Sequence, residues 1–438
     1  MTNYQEALKI VLDNIRVFEA EVKPLLSSFG QVLAEDIYSD YSLPLKDQSG
    51  QDGYAVISAD IQGASNVKPV ALQIIEIVKA GHLPKRTVEP GTAIRIMTGA
   101  VIPKGADCVV RFEDTDEPAD KNGPNKDNPS IVKIFVANKP GNSINKAGAN
   151  VRQGFLILSK GTVLGPAQIS VLTNIGKAEV KVIRRPVIAV ISTGDELIKL
   201  GQPLVPGKSF DSNTAVVAAL VAHYGGIPKI LGIARDNEKS ILTKLLKGLK
   251  LDVVITSGGV AKGDYDLIRK VIGKMGGQVL FSKISMGPGA SVAFCIVNKT
   301  CQNDELIAVP VFALAGPPAG CMINFETLVR PALLKMIGIE EIGHPVIQAV
   351  TRNSSSNKMA MTFVRWTKLE KSGTAYEVAH NQADKIGALV AIANADSLTI
   401  IPQGTAVTEG DQLQVLPLDW CRNRYVNLKV SPESLLSE

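Results

Sequence analysis

No C-x-x-C pair joins any of the five cysteines, Cys108, Cys295, Cys301, Cys321 and Cys421. Their odd number and scatter argue against a disulfide framework and for reduced thiols in the cytosol. The four histidines, His82, His223, His344 and His380, fall at no metal-ligand spacing. His223, near the end of a predicted helix, reads as a cap or packing residue. A Walker A sequence, a G-x-G-x-x-G fingerprint and a G-x-S-x-G elbow are all missing, which weighs against nucleotide hydrolases, dinucleotide-dependent oxidoreductases and elbow-type hydrolases. No apolar run approaches membrane-spanning length, and Met1–Ala20 carries acids in an amphipathic pattern rather than a signal peptide. A cytoplasmic protein with no membrane partner is expected. A net charge of +5 is slight for 438 residues. The basic residues are scattered, with no aromatic-interleaved basic stripe, so no nucleic-acid partner is expected. A modest positive field still suits an anionic small ligand.

What is present is an ordinary globular composition, 45% hydrophobic and 20% charged, on a chain long enough for about three or four domains. Tyr4–Phe18 predicts a helix, and a second helical pattern covers Leu25–Ala34. A polar, Gly-rich loop follows from Leu43 to Ala55. Val70–Val136 reads as β-branched strands separated by Gly and Pro, with Asp114–Pro129 a disordered or surface loop. Near Arg184 the pattern changes. Val187–Ile191, Ile230–Ala234 and Leu251–Thr256 read as strands, alternating with helices at Thr214–His223, Glu238–Leu249 and Leu267–Met275, with Asp211, Ser212 and Asn213 offering N-caps. Strand patterns at Val279–Ile284, Ser291–Val297 and Leu306–Leu314, then a helix ending near Ile337, complete a parallel α/β domain. His344–Leu416 returns to short strands.

The most informative stretch runs from Ser257 through Gly258, Gly259, Lys262, Gly263 and Asp264 to Asp266. Its glycines let a backbone approach a ligand and expose N–H groups to anionic oxygens. The two carboxylates behind can hold a metal. A strand, a Gly-rich turn, acids and a helix describe a phosphate–metal pocket at the C-terminal end of a parallel strand. A plain strand-to-helix turn with a solvated acidic start uses the same residues. Acids and hydroxyls on similar loops are Asp52, Thr98, Ser192, Thr193, Asp195, Glu196 and Asp236. Several fall where α/β strands end, and such ends converge on one crevice.

Over nearly its whole length the chain resembles the molybdopterin molybdenumtransferases, the MoeA and gephyrin E-domain family. The resemblance is carried by Leu43-Pro44 through Ser49, Asp52-Gly53-Tyr54-Ala55 and Ile96-Met97-Thr98-Gly99-Ala100. It continues in Ser192-Thr193-Gly194-Asp195-Glu196-Leu197, Asp211-Ser212-Asn213, Arg235-Asp236-Asn237 and Thr256-Ser257-Gly258-Gly259-Val260. It implies a multidomain α/β and β fold. A discontinuous helical and linking domain (1–45 and 140–183) precedes and follows a β-rich, lasso-like domain (46–139). A molybdopterin-binding α/β domain (184–338) and a small C-terminal β domain (339–438) complete it. It implies a homodimer that inserts molybdate into adenylylated molybdopterin and releases AMP with Mg²⁺. It gives Asp52, Glu196, Asp236 and Asp266 catalytic roles and makes Asp264 and Asp266 metal-associated. Thr98, Gly99, Ser192, Thr193, Gly194, Asp195, Ser257, Gly258, Gly259 and Asp264 become substrate-binding residues. Molybdopterin intermediates, a molybdopterin adenylyltransferase and molybdoenzyme chaperones are the implied partners.

The family pattern is not kept throughout. Met286-Gly287-Pro288-Gly289-Ala290-Ser291 stands where the family has Met-Lys-Pro-Gly-Lys-Pro, and Ala315-Gly316-Pro317-Pro318-Ala319-Gly320 where it has Pro-Gly-Asn-Pro-x-Ser. Gly148-Ala149-Asn150 lacks two acids, and Gln51 replaces a Met. Each missing lysine removes a charge-assisted contact of about 1.5–3 kcal/mol where desolvated. Lys262 is the expected compensating cation. A catalytically impaired paralogue acting as a binding or scaffolding protein is the alternative reading.

Overall fold

The computed structural model describes residues 1–117, 130–258, 264–300, 306–380 and 388–422. The chain folds into two units. One comprises Met1–Glu35, Lys160–Ile169 and Ala178–Glu438; the other comprises Asp36–Ser159 and Ser170–Lys177.

The smaller unit is built on a five-stranded sheet. Gly53–Val56 pairs antiparallel with Cys108–Arg111 on one side and Thr92–Ile96 on the other; Val70–Val78 and Ile131–Ile134 extend it. Alternation decides the packing: Tyr54, Val56, Val110 and Phe112 enter one core, and Ala55, Val109, Ile94 and Ile96 enter another. Of the surface loop expected over Asp114–Pro129, residues 118–129 lie outside the described residues. Its start is not a surface loop. Asp114 ends a short 3₁₀ turn, and the Glu117 side chain is fully buried against Arg95.

In the larger unit a six-stranded sheet runs in the order Ile227–Ala234, Val187–Thr193, Val253–Ser257, Leu306–Leu314, Ala293–Thr300, Gln278–Phe281. The first four strands are parallel, and the last two form an antiparallel edge. The parallel strands read as continuous apolar runs because both faces are covered. Ile188, Val190, Val253, Ile255 and Phe312 face one layer, with Ser212–His223 and the helical stretch from Pro318 to Met336. Ala189, Ile191, Val254 and Val311 face the other, with Glu238–Gly248 and Asp264–Lys274. A second six-stranded sheet closes on itself, because Thr362–Ser372 pairs with both Ala375–His380 and Ser397–Ile401. Its outermost strand, Met286–Gly287, is lent by the α/β segment.

Two helical expectations fail. The first helix stops at Asp13 rather than Phe18: Asn14 closes it with backbone bonds to Val11 and Leu12, and Phe18 turns to bond Met336. Leu25–Ala34 forms only a 3₁₀ turn, Leu25–Ser28. Gly30 then takes a left-handed φ of 74°, and Val32 and Leu33 bridge to Val163 and Val182. Pairing across the chain overrides the local helical pattern.

Candidate functional site

Strand order places the site. The Val187–Thr193 strand is followed by its neighbour on one side, while the next strand, Val253–Ser257, lies on the other. Connections leave in opposite directions there, opening a crevice beyond the strand ends. A cavity of about 1160 Å³ occupies that place. Thr193, Ser257 and Ala315, at the ends of three adjacent parallel strands, contribute to its wall.

The floor is a buried hydroxyl–carboxylate network. Ser192 Oγ donates to Asp211 Oδ1 at 2.7 Å and lies 2.8 Å from Thr214 Oγ1 and 3.1 Å from Ser257 Oγ. Thr214 donates to both Asp211 oxygens, from its N–H at 3.1 Å and its hydroxyl at 2.7 Å. Asp211 is thus the N-cap of the Ser212–His223 helix and fixes that helix's first turn at the cavity, a contribution of about 0.5–2 kcal/mol. Asn213 lines the wall and donates to Gly316 O at 2.7 Å. Cys321 lies fully buried within the same unit, and burial, then the Asp211 charge, pushes its thiol up to about 12. It is an inert packing group.

The side wall is held by polar ties. Asp195 N–H donates to Asp236 Oδ2 at 2.9 Å, and Asp236 N–H returns a 3.3 Å bond to Asp195 Oδ1. One Arg235 nitrogen donates to the carbonyls of Gly194, Asp195 and Leu197. Gly258 is required where it stands. Its φ is 84°, and a Cβ there would lie 2.3 Å from the Thr193 carbonyl.

Of the expected site residues, Thr193, Gly194, Glu196, Asp236, Ser257 and Gly258 come together on this cavity. Ser192 lies beneath it in the floor network, and Asp195 is exposed beside it, tied in by its backbone and by its carboxylate. Asp264 and Asp266 belong to the first turn of the Asp264–Lys274 helix; their side chains, with Gly259 and Lys262, lie outside the described residues. Asp52, Thr98 and Gly99 form a separate cluster in the smaller unit. There Asp52 Oδ1 accepts from Thr98 N–H at 2.7 Å and Thr98 Oγ1 at 2.9 Å, and Gly99 N–H donates to Ser49 O at 2.8 Å.

Sequence reasoning missed Lys208 and Phe210 and marked the Gly316–Pro318 segment only as an altered family motif; all lie on the cavity wall. The last was findable, since it directly follows the apolar Leu306–Leu314 strand and strand ends face the crevice. Lys208 sits among residues without periodicity, and no local signal marks it. The loop lacking the family lysines lines the cavity through Pro288, Gly289 and Ser291. Neither Gly287 nor Ala290 is among the described lining residues. Gly287 pairs with Phe363, and a Cβ there would point to within 3.0 Å of Met361 Sδ.

Comparison with known proteins matches nearly the whole chain to one family. Residues 2–176 match the MoeA N-terminal region (domain I and II), and residues 189–335 match a probable molybdopterin binding domain. The molybdopterin molybdenumtransferase of Staphylococcus aureus (strain COL) is 34% identical over 403 residues, covering 92% of this chain and 91% of the relative. The chain belongs to the molybdopterin molybdenumtransferase family. The Bacillus subtilis (strain 168) enzyme of that name is likewise 34% identical, covering 94% of this chain and 93% of its own. The crystal structure of a molybdopterin biosynthesis MoeA protein from Pyrococcus horikosii superposes with a TM-score of 0.78 at 31% identity, covering 95% and 99% of the two chains.

Proposed function

We propose that this chain inserts molybdate into adenylylated molybdopterin with release of AMP, in the synthesis of the molybdenum cofactor. The observation that carries the reading is the convergence of three parallel strand ends on one large cavity. Its wall alternates hydroxyls, carboxylates and a helix N-terminus with apolar surface from Leu197, Leu204, Phe210 and Leu389. The start of the Ser212–His223 helix suits the diphosphate oxygens, and the apolar surface suits a flat ring system. Phosphoanhydride cleavage leaves charge on AMP, so the work of these residues is positioning and charge stabilisation.

The donor chemistry fits a hard divalent cation. Glu196 and Asp236 offer carboxylate oxygens on the wall, and Mg²⁺ binds through one or two carboxylates plus substrate phosphates. Among the described residues no group of three or more His, Cys, Asp or Glu side chains could hold a metal. Asp264 and Asp266 complete the proposed metal acids. Bound Mg²⁺ would neutralise diphosphate oxygens. Glu196 and Asp236 would hold it, while the Asp211 network braces the floor.

The proposal includes the domain division at residues 45, 139, 183 and 338, a cytoplasmic location and a homodimer to which the Asp52–Thr98 cluster contributes. Among the described residues no helix is long and apolar enough to cross a membrane. Sedimentation at micromolar protein should give a dimer; a monomer alone would remove that part. The function is tested by expressing the chain in a bacterium deleted for its molybdopterin molybdenumtransferase. Recovery of molybdoenzyme activity is expected, and its loss in an Asp236→Ala variant. No recovery from well-expressed wild type would contradict the reading.

A further inference from the structure

We propose that Lys208 is the oxyanion-contacting cation of this cavity. The inference rests on the functional reading above and adds to it the group that supplies positive charge. The described wall carries three carboxylates, Glu196, Asp211 and Asp236, and Lys208 is the only cation among its described lining residues. An anionic ligand against such a wall needs a compensating charge.

The Lys208 backbone is held in place. Its N–H donates to Val205 O at 3.1 Å, and the next residue, Ser209, donates to Glu196 O at 2.9 Å. Leu197–Ile198 and Ser209–Phe210 pair as short parallel strands, so the lysine leaves a fixed backbone rather than a free loop. Its Nζ donates to Asp195 O at 2.7 Å. An ammonium carries three N–H groups, so two remain for ligand oxygens while one keeps the side chain at the wall. The loop Met286–Ser291 offers no lysine, and Gly287 is turned toward Met361. Among the described residues, the positive charge on this wall is that of Lys208. The chemistry recognised is an oxyanion, either the diphosphate of the adenylylated substrate or molybdate itself.

The test is calorimetric titration of the full chain with ADP in the presence of Mg²⁺ and, separately, with molybdate. Wild type, Lys208→Ala, Lys208→Gln and Lys208→Arg are compared, with Lys199→Ala as an exposed lysine off the wall. Lys208→Gln keeps a donor for Asp195 O but removes the charge. Both uncharged variants should weaken binding about tenfold or more, the loss of one charged contact, and flatten its dependence on ionic strength. Arg should retain most of the affinity, and Lys199→Ala all of it. Weakening confined to ADP assigns the contact to the diphosphate, and weakening confined to molybdate assigns it to the metal oxyanion. A purely structural tether predicts a lower melting temperature in Lys208→Ala, with affinity and salt dependence kept; that result overturns the inference alone. If wild type binds neither probe, the reading of the cavity falls and the inference with it.

Discussion

Asn324 donates from its side-chain amide to the Gly289 carbonyl at 2.8 Å. The same carboxamide accepts from the Ala315 N–H at 3.1 Å. One fully buried side chain thus ties together the two cavity loops that depart from the family pattern, Met286–Ser291 and Ala315–Gly320. One departure sits against a glycine that the family keeps: a Cβ on Gly320 would lie 3.0 Å from Gly289 N, and one on Gly289 would lie 2.6 Å from the Asn324 amide nitrogen. Replacing Asn324 by Leu leaves two backbone groups without their partner. The expected cost is about 1–3 kcal/mol, read by urea denaturation, together with weaker ADP binding. Gly320→Ser, a return to the family residue, should also destabilise. A Gly320→Ser protein as stable as wild type would show that the close approach to Gly289 does not restrict position 320.

Gly258 provides a test with a matched control. Gly258→Ala sets a Cβ 2.3 Å from the Thr193 carbonyl, whereas Gly276, also left-handed at φ 71°, has nothing within 4 Å of the same added atom. Gly276→Ala should cost only the left-handed penalty of about 1–2 kcal/mol. Gly258→Ala must in addition move the backbone at the cavity, so it should cost more and lower ADP affinity about tenfold or more. Equal effects of the two substitutions in denaturation and binding would remove the close-approach argument.

The smaller unit depends on a buried ion pair. Arg95 Nη2 lies 2.6 Å from Glu117 Oε1, both side chains are nearly inaccessible, and Tyr54 Oη donates to the same carboxylate. Burial, reinforced by Glu117, holds the Tyr54 hydroxyl well above its usual range, so it stays a neutral donor. The Arg95 guanidinium also covers the Phe112 ring at 4.4 Å. Removing one partner strands the other, so Glu117→Leu should cost about 3–5 kcal/mol, while Arg95→Met with Glu117→Leu should cost much less. Hydrogen exchange of the Thr92–Ile96 strand reads this locally. Additive costs would contradict the coupling.

His380 makes part of the stability depend on pH. Burial, then the Arg365 charge, holds its imidazole down to about 4. Its Nδ1 lies 3.1 Å from Arg365 Nη1, and its Nε2 is buried with no partner among the described residues. Unfolded histidine titrates near 6.5. Between these values the unfolded chain binds the proton and the folded one does not, so stability present above about 6.5 is lost as pH falls toward 4. Melting temperatures of wild type and His380→Gln should converge as pH falls from 7.5 to 4.5. A constant gap would contradict this.

Much of the α/β unit was legible because its parallel strands are buried on both faces and so read as unbroken apolar runs, Val187–Ile191 and Leu306–Leu314 among them. Asp211 was legible as a cap because a capping carboxylate needs only its own helix. Leu25–Ala34 was not, since its helical spacing is overridden by partners more than a hundred residues away at Val163 and Val182. Lys208 carries no local mark: its place on the wall follows from where Leu197–Ile198 runs. Asn324 did leave a signal, a lone amide inside Cys321-Met322-Ile323-Asn324-Phe325, where a buried polar group calls for partners.

The most direct measurement of the central claim is AMP release from adenylylated molybdopterin by the purified wild-type chain, with and without molybdate, in Mg²⁺. Release that requires molybdate and falls at least a hundredfold in Asp236→Ala is the predicted result. No molybdate-dependent AMP from a folded chain that binds ADP in its cavity would contradict it.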